Sequence, residues 1–363
     1  MRKYIKFIIL LLFAVFIFWY FGRNLDWQQV SRSLQEAQAF YVILAVLGIS
    51  LGYFLRAIRW KVLLAPITET SLKELFATTT VGFAAMFFVG RMGEIVRPMW
   101  LPMRDKRVRP SAALVTLGVE RILDLAALSS FFAINLLWLE APVGREREFE
   151  NVKIFGILML VGIAFGFIGL FIYQKYAAKI IGWFENRSDK FFISGKIKRI
   201  VISILKHLAT ALQILRDWRE TLLVTFWTLT LWLAIAMPTW FVLKAFDLPL
   251  NFSHSLFIMG FATVSSIVPT PGGAAGAFHA ATAGGLVFLM GDGEGVKERA
   301  LAVAIVMHLV YFAPAVFFGL YYFFHGDISV ERIKSLLSSE PAVEDLETDV
   351  QSSKFKVQSS KQN

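Results

Sequence analysis

"LFATTTVGFAAMFFVGRMGEIVRP" occupies positions 75–98. Its first part, 75–89, is apolar but short. As a helix it is about 22 Å long, less than the ~30 Å of bilayer hydrocarbon. It also holds three consecutive threonines, Thr78, Thr79 and Thr80. The segment either crosses a membrane or dips in and returns. The charges flanking it discriminate between these. "RAIRWK" (56–61) precedes it and "RPMWLPMRDKRVRP" (97–110) comes after it, and both are basic. A crossing puts two basic loops on opposite faces, against the tendency of Lys and Arg to collect on the cytoplasmic side. A hairpin puts both on that side. They are then joined there by Arg2, Lys3 and Lys6 and by the basic stretch 174–220. The opposite loops, 22–39, 139–153 and 244–251, are poorer in basic residues.

The rest of the chain fits a bilayer. Hydrophobic residues make up 56% of the 363 and charged residues 18%, where a soluble domain carries about a quarter. Further apolar spans lie at 5–21, 40–55, 111–138, 154–173, 221–243 and 300–324. The first comes after a basic start, as in a signal peptide, but it lacks a small-residue cleavage site and reads as a retained helix. Residues 252–289 are also apolar, and "PTPGG" (269–273) interrupts them. A hairpin entering from the outer face keeps the acidic "GDGEG" (291–295) outside. The expected fold is an all-α polytopic membrane protein of about six crossings plus two re-entrant helical hairpins. The alternative is eight full spans.

One membrane domain, 1–337, is expected. Within it, 174–220 is either amphipathic on the cytoplasmic leaflet or a connector on the bundle. The tail 338–363 is polar, with "VQSSK" twice, and is expected to be disordered. Both termini are expected in the cytoplasm. The net charge of +10 is explained by basic loops against anionic headgroups, so membrane lipids and not nucleic acid are the expected partners. Protein partners and oligomeric state are not legible.

There is no cysteine, which excludes disulfides, thiolate metal sites and thiol nucleophiles. No Walker A, HExxH or GxSxG pattern occurs. No cofactor or metal is expected. His279 and His308 stand isolated in the sequence.

Three motifs carry unusual polarity. Glu120 and Asp124 lie four apart on one helix face, roughly 13–20 Å into their span, with Arg121 beside them. An ionised group at such depth costs at least ~2.5–3.5 kcal/mol unless paired or solvated. These residues are a structural ion pair, a charge-balancing group or a proton site. In "GRMGEIVRP", Arg91, Glu94 and Arg97 form an i, i+3, i+6 ladder, and Gly90 and Gly93 allow a tight turn. Pro98 is expected to end a helix or kink the chain beyond it. Two arginines at this spacing suit a phosphate, with Arg121 as a third cation. In "PTPGGAAGAFHAA", Pro269, Pro271, Gly272, Gly273 and Gly276 break the helix. A helix starting near Ala274 then points its positive end at the loop. Arg56, Arg59, Trp60 and Lys61 read as an interfacial belt.

In this order, "RAIRWKVLL", "GRMGEIVRP", "ERILDL" and "PTPGGAAGAFHAA" resemble the lysylphosphatidylglycerol synthase transmembrane-region family, also called flippase-like. The resemblance covers nearly the whole chain before Ser338. It implies a bacterial or archaeal inner-membrane protein; in the family's best-known bifunctional members this region flips an aminoacylated phosphatidylglycerol. In bifunctional members a separate C-terminal domain makes that lipid. Here a short polar tail comes after the last span, so synthase activity is not carried over. The family's positions map onto Arg91, Glu94, Arg97, Glu120, Arg121, Asp124, Pro269, Pro271, Gly272 and Gly273. The leading expectation is a translocase for a phosphate-bearing lipid or lipid-linked precursor. The alternatives are a membrane transferase with Glu120 or Asp124 as base, and a non-catalytic scaffold.

Overall fold

The computed structural model describes residues 27–65, 67–187, 218–265 and 271–325, and also 202, 205, 206, 208, 209 and 212. Among these the protein is all helical. The elements are α1 (Trp27–Glu36), α2 (Ala39–Leu64), α3 (Leu72–Val89), a 3-10 turn (Gly90–Ile95), α4 (Val96–Arg104), α5 (Pro110–Trp138), α6 (Glu146–Arg187), α7 (Trp218–Ala245), α8 (Phe252–Ser265), α9 (Pro271–Met290) and α10 (Val296–Phe324). Helices α2, α6, α7 and α10 are long and apolar enough to cross a membrane. Helix α5 has the length as well, but its span carries Glu120, Arg121 and Asp124. The expected first span, the polar tail and residue Pro269 lie outside the described residues, as does most of the 188–217 stretch.

The segment at 75–98 folds as a hairpin. Ser71 caps α3, its hydroxyl accepting from the Glu74 N–H at 3.2 Å. The chain reverses through the 3-10 turn, entered by Gly90 at φ 69. A left-handed residue at that position suits glycine. Gly93 lies directly on α3, where a Cβ would sit 2.3 Å from the Met86 nitrogen. Helix α4 then runs back along α3, and Arg104 at its end binds the Glu74 carboxylate at the start of α3. Pro98 falls in the first turn of α4. The expectation that it ends a helix or kinks the chain is corrected: a proline there starts a helix, because first-turn N–H groups have no intrahelical partner. The loops at the base are also tied, Thr70 donating to Asp105 at 2.7 Å. The loops on either side of the hairpin, 65–71 and 105–109, therefore lie at one end of the bundle.

The second hairpin is α8–α9. Phe257 stacks on Phe288 with centroids 5.9 Å apart, and Gly285 packs on Ile258 and Phe261. Its base lies at the other end of the bundle. There the Gln38 N–H donates to the Ala245 carbonyl at 2.8 Å, and Arg145 at the start of α6 binds Asp292 beyond α9. Helix α8 is about 21 Å long, and the apolar run of α9 from Ala274 about 25 Å. Neither reaches the ~30 Å of a full crossing. The two hairpins thus enter from opposite ends, and the 3-10 turn of the first packs on α9 of the second.

One expectation is corrected. Stretch 22–39 is not wholly a loop, since it contains α1, whose one fully buried residue is Val30. Helix α6 runs on from its span through Arg187, with a kink at Tyr176. Its exposed Phe155, Leu158, Phe165 and Phe171 form a broad apolar face suited to lipid.

Two outcomes test this arrangement. Gly93→Ala forces a methyl into α3 backbone, so it should lower stability in detergent by about 1–3 kcal/mol, read as a drop in unfolding temperature. In the loop after α4, the Arg107 guanidinium donates to Asp105 at 2.7 and 2.9 Å and, with help from Thr70, holds its carboxyl down at about 2. The folded value lies below the ordinary 3.8, so this contribution is complete above that pH and is lost as pH falls toward 2. Asp105→Asn should destabilise the protein at pH 7, and the gap to wild type should close on titration from pH 4 to 2.

Candidate functional site

Six polar side chains from three helices meet inside the bundle. Arg56 and Arg59 share a face of α2, Glu120 and Asp124 a face of α5, and Arg97 enters from α4. Arg121 lies at the margin. Helix α5 begins with Pro110 at its first position, where a missing N–H costs nothing. Glu120 and Asp124 come about 15 and 21 Å along its axis.

Glu120 is the hub. Arg97 binds it with both nitrogens, Nη1 donating to Oε1 at 2.7 Å and Nη2 to Oε2 at 3.1 Å. Arg59 Nη2 lies 3.5 Å and Arg56 Nη1 3.9 Å from Oε1, and Arg121 Nη2 donates to it at 3.2 Å. Asp124 takes Arg59 Nη1 at 2.6 Å, Arg56 Nη1 at 3.3 Å and the Trp232 indole N–H at 3.0 Å. The guanidinium carbon of Arg97 sits 4.4 Å over the Trp60 ring. That of Arg56 lies over Phe83 and Trp232 at 5.1 and 5.6 Å. A planar, delocalised cation is suited to binding a carboxylate at its edge and aromatic rings on its faces. Gly82 makes room for this: a Cβ there would sit 2.2 Å from Arg97 Cγ.

Burial divides the group. Arg59, Arg97 and Glu120 have no exposed surface. The Arg121 side chain is 37% exposed and that of Glu94, in the 3-10 turn, 24%, with 3.8 Å between their charged atoms. Four guanidiniums, Arg56, Arg59, Arg97 and Arg121, thus face three carboxylates, Glu94, Glu120 and Asp124, which leaves one positive charge in excess. The cluster is an internal ion-pair lock, and Arg121, beside Glu94, Glu120 and Asp124, is its most exposed cation.

The sequence placed Arg97 with Arg91 as anion ligands. In the structure both Arg97 Nη atoms bind Glu120, and the guanidinium lies over Trp60. The backbone of Arg91 lies in the 3-10 turn, and its side chain is outside the described residues. Pro271, Gly272 and Gly273 form the first turn of α9, ahead of Ala274, whose φ of 63 is left-handed. Gly276 is buried in α9. Neither the carboxylates nor the arginines of the cluster lie on that helix. The belt reading of Arg56, Arg59 and Trp60 is corrected, because all three are buried. Helix α2 continues to Leu64, so the arginines lie inside it and not at its end. The available signal was charge balance: two carboxylates on α5 called for more than one buried cation.

Two cavities lie at the other end of the bundle. One of about 660 Å³ is lined by residues including Arg32, Glu36, Glu294 and Arg299. Its neighbour of about 390 Å³ shares His254 and Leu289 with it.

Fold and site together define a polytopic all-α membrane protein with paired short hairpins and a buried arginine–carboxylate lock. The chain belongs to the lysylphosphatidylglycerol synthase TM region family, whose model matches residues 7–319. Comparison with curated proteins yields no match.

The lock predicts a graded response. Glu120→Ala leaves Arg97 buried with its carboxylate partner gone and Arg59 with Asp124 alone, and should cost about 3–5 kcal/mol. Arg121→Ala removes a partly exposed partner and should cost at most ~1 kcal/mol. Thermal unfolding in one detergent, compared across both variants and wild type, checks the order.

Proposed function

We propose that the protein is a lipid translocase, moving a phosphate-bearing polar lipid or lipid-linked precursor between the leaflets of a cell inner membrane. Both termini would lie in the cytoplasm. The observation that carries this reading is the partly exposed Arg121 guanidinium, set well inside the bundle at the margin of a cluster in which four arginines face three carboxylates. A guanidinium there can take a phosphate from the lipid side without dismantling the Arg97–Glu120 pair. Glu94, 3.8 Å away, balances Arg121 when no phosphate is bound. Membership of a membrane-region family and the two opposed hairpins support transport over group transfer, since broken helices meeting inside a bundle are a common transporter arrangement. On this reading the protein is a transporter and not an enzyme.

The test is exchange of fluorescent phospholipids and lipid-linked sugars between leaflets of proteoliposomes. Arg121→Ala, at matched folding and reconstitution, should slow exchange about tenfold, as loss of one charge-assisted contact implies. Arg145→Ala, at the far end of the bundle, should leave it near the wild-type rate. Wild-type protein inert toward every headgroup, or an Arg121→Ala variant as fast as wild type, would sink the reading.

A further inference from the structure

His279 and His308 are far apart in sequence, and the fold brings them together. His279 is on α9, about 7 Å past Ala274, and His308 lies near the middle of α10. Their ring centroids are 5.0 Å apart and nearly perpendicular. Phe278, Phe312 and Phe87 surround His308 with centroids 5.0, 5.1 and 6.1 Å away. Phe87 is on α3, two residues from the end of that helix, while Phe278 belongs to α9. The box therefore joins three parts: the tip of the first hairpin, the second hairpin and the crossing helix α10.

We infer that His279 and His308 form a proton-binding site at the junction of the two hairpins, through which protons favour an opened arrangement of α9 against α10. The physical basis is linkage. An imidazole is the side chain whose ordinary titration lies nearest physiological pH. A proton on either ring gains from water around it, and in the packed box phenyl faces crowd His308. Two protonated rings 5.0 Å apart would also repel each other. A ligand shifts a protein toward the conformation that binds it better. Protons thus favour the conformation in which α9 stands off α10 and water reaches the rings. The proton enters from water onto a ring nitrogen and returns to water when the helices close.

Tyr53 on α2 donates its hydroxyl to the Tyr311 carbonyl at 2.9 Å, and Arg56, also on α2, lies over Phe83, one turn before Phe87. Further titratable groups on the packed elements are placed as follows. Tyr311 is one turn beyond His308, and its hydroxyl lies 2.6 Å from Thr239. Arg91 and Glu94 are in the 3-10 turn. Arg299 on α10 is nine residues, about 13 Å, before His308, with Lys297 and Glu298 beyond it. Lys73 and Glu74 are at the start of α3, about 20 Å from Phe87, and His254 is at the base of α8.

The inference rests on the translocase reading for its consequence, a transport rate that rises with acid, but not for the proton site itself. The absence of cysteine allows clean labelling. Gly284→Cys on α9 and Leu309→Cys on α10 both face open space and can carry a nitroxide pair. The distance between them, measured by electron spin resonance in nanodiscs, should lengthen from pH 7.5 to 5.5. The shift should vanish in His279→Gln and in His308→Gln. A distance unchanged with pH, or a shift that survives both substitutions, would overturn the proposal. ¹⁵N-histidine spectra of the unsubstituted protein serve if the variants misfold. The two facing rings should take up a proton over that interval, and rings neutral throughout would also overturn it. Leaflet exchange at the two pH values is scored separately. Absent exchange with an intact distance shift would count against the translocase reading alone.

Discussion

Glu120 gathers the guanidiniums of Arg97, Arg59, Arg56 and Arg121 around one carboxylate that has no exposed surface. Ions held in so dry a place impose a severe geometric demand. Each must be matched within a few tenths of an ångström, because removing either partner leaves a charge in a medium that cannot solvate it. The demand propagates outward. Helix α2 must present Arg56 and Arg59 on one face, and α4 must return far enough to deliver Arg97. Gly82 must stay bare so that Arg97 can pass. The hairpin is thus held at its core by an ion pair, at its tip by a glycine contact and at its base by Arg104 and Glu74. Such a lock gives little net stability over an apolar core and instead selects one arrangement of α2, α4 and α5. That is the use to which buried ions are best suited.

Much of this architecture was legible in the chain. The shortness of 75–89 and the basic loops on both sides of it pointed to a hairpin, and the structure has one. The charges of α5 were visible because an apolar run isolates them. Arg56 and Arg59 were hidden for a definite reason. They sit where apolar residues give way to basic ones, which is also how a membrane boundary looks. Only the continuation of α2 to Leu64 distinguishes the two. The proline at position 98 misled for a similar reason, since the same ring that breaks a helix interior is at ease in its first turn. The meeting of His279 with His308 has no local signal at all. It depends on how α9 packs against α10, and two separate helices carry no shared periodicity.

Arginine, not lysine, supplies every cation of the cluster. A lysine could balance the charge, but it could not bind Glu120 through two parallel bonds while lying flat on Trp60. The aromatic rings shield the guanidinium faces from hydrocarbon, and the carboxylates satisfy the edges. Positive charge is thereby carried deep into the bundle, and among the described cations of the cluster Arg121 is the most exposed.

The tethering of each hairpin at a single end has a mechanical consequence. A helix that crosses the bilayer cannot shift far without drawing a polar loop into hydrocarbon. A hairpin based on one side has no such load at its tip, because its polar ends stay in water while the tip swings. The tip of α3 is tied through Arg97 to Glu120, so the start of α9 is the tip that can be displaced more cheaply. The two tips approach from opposite sides and touch. On the translocase reading, motion of α9 against the first hairpin would open a passage between them without the long helices moving.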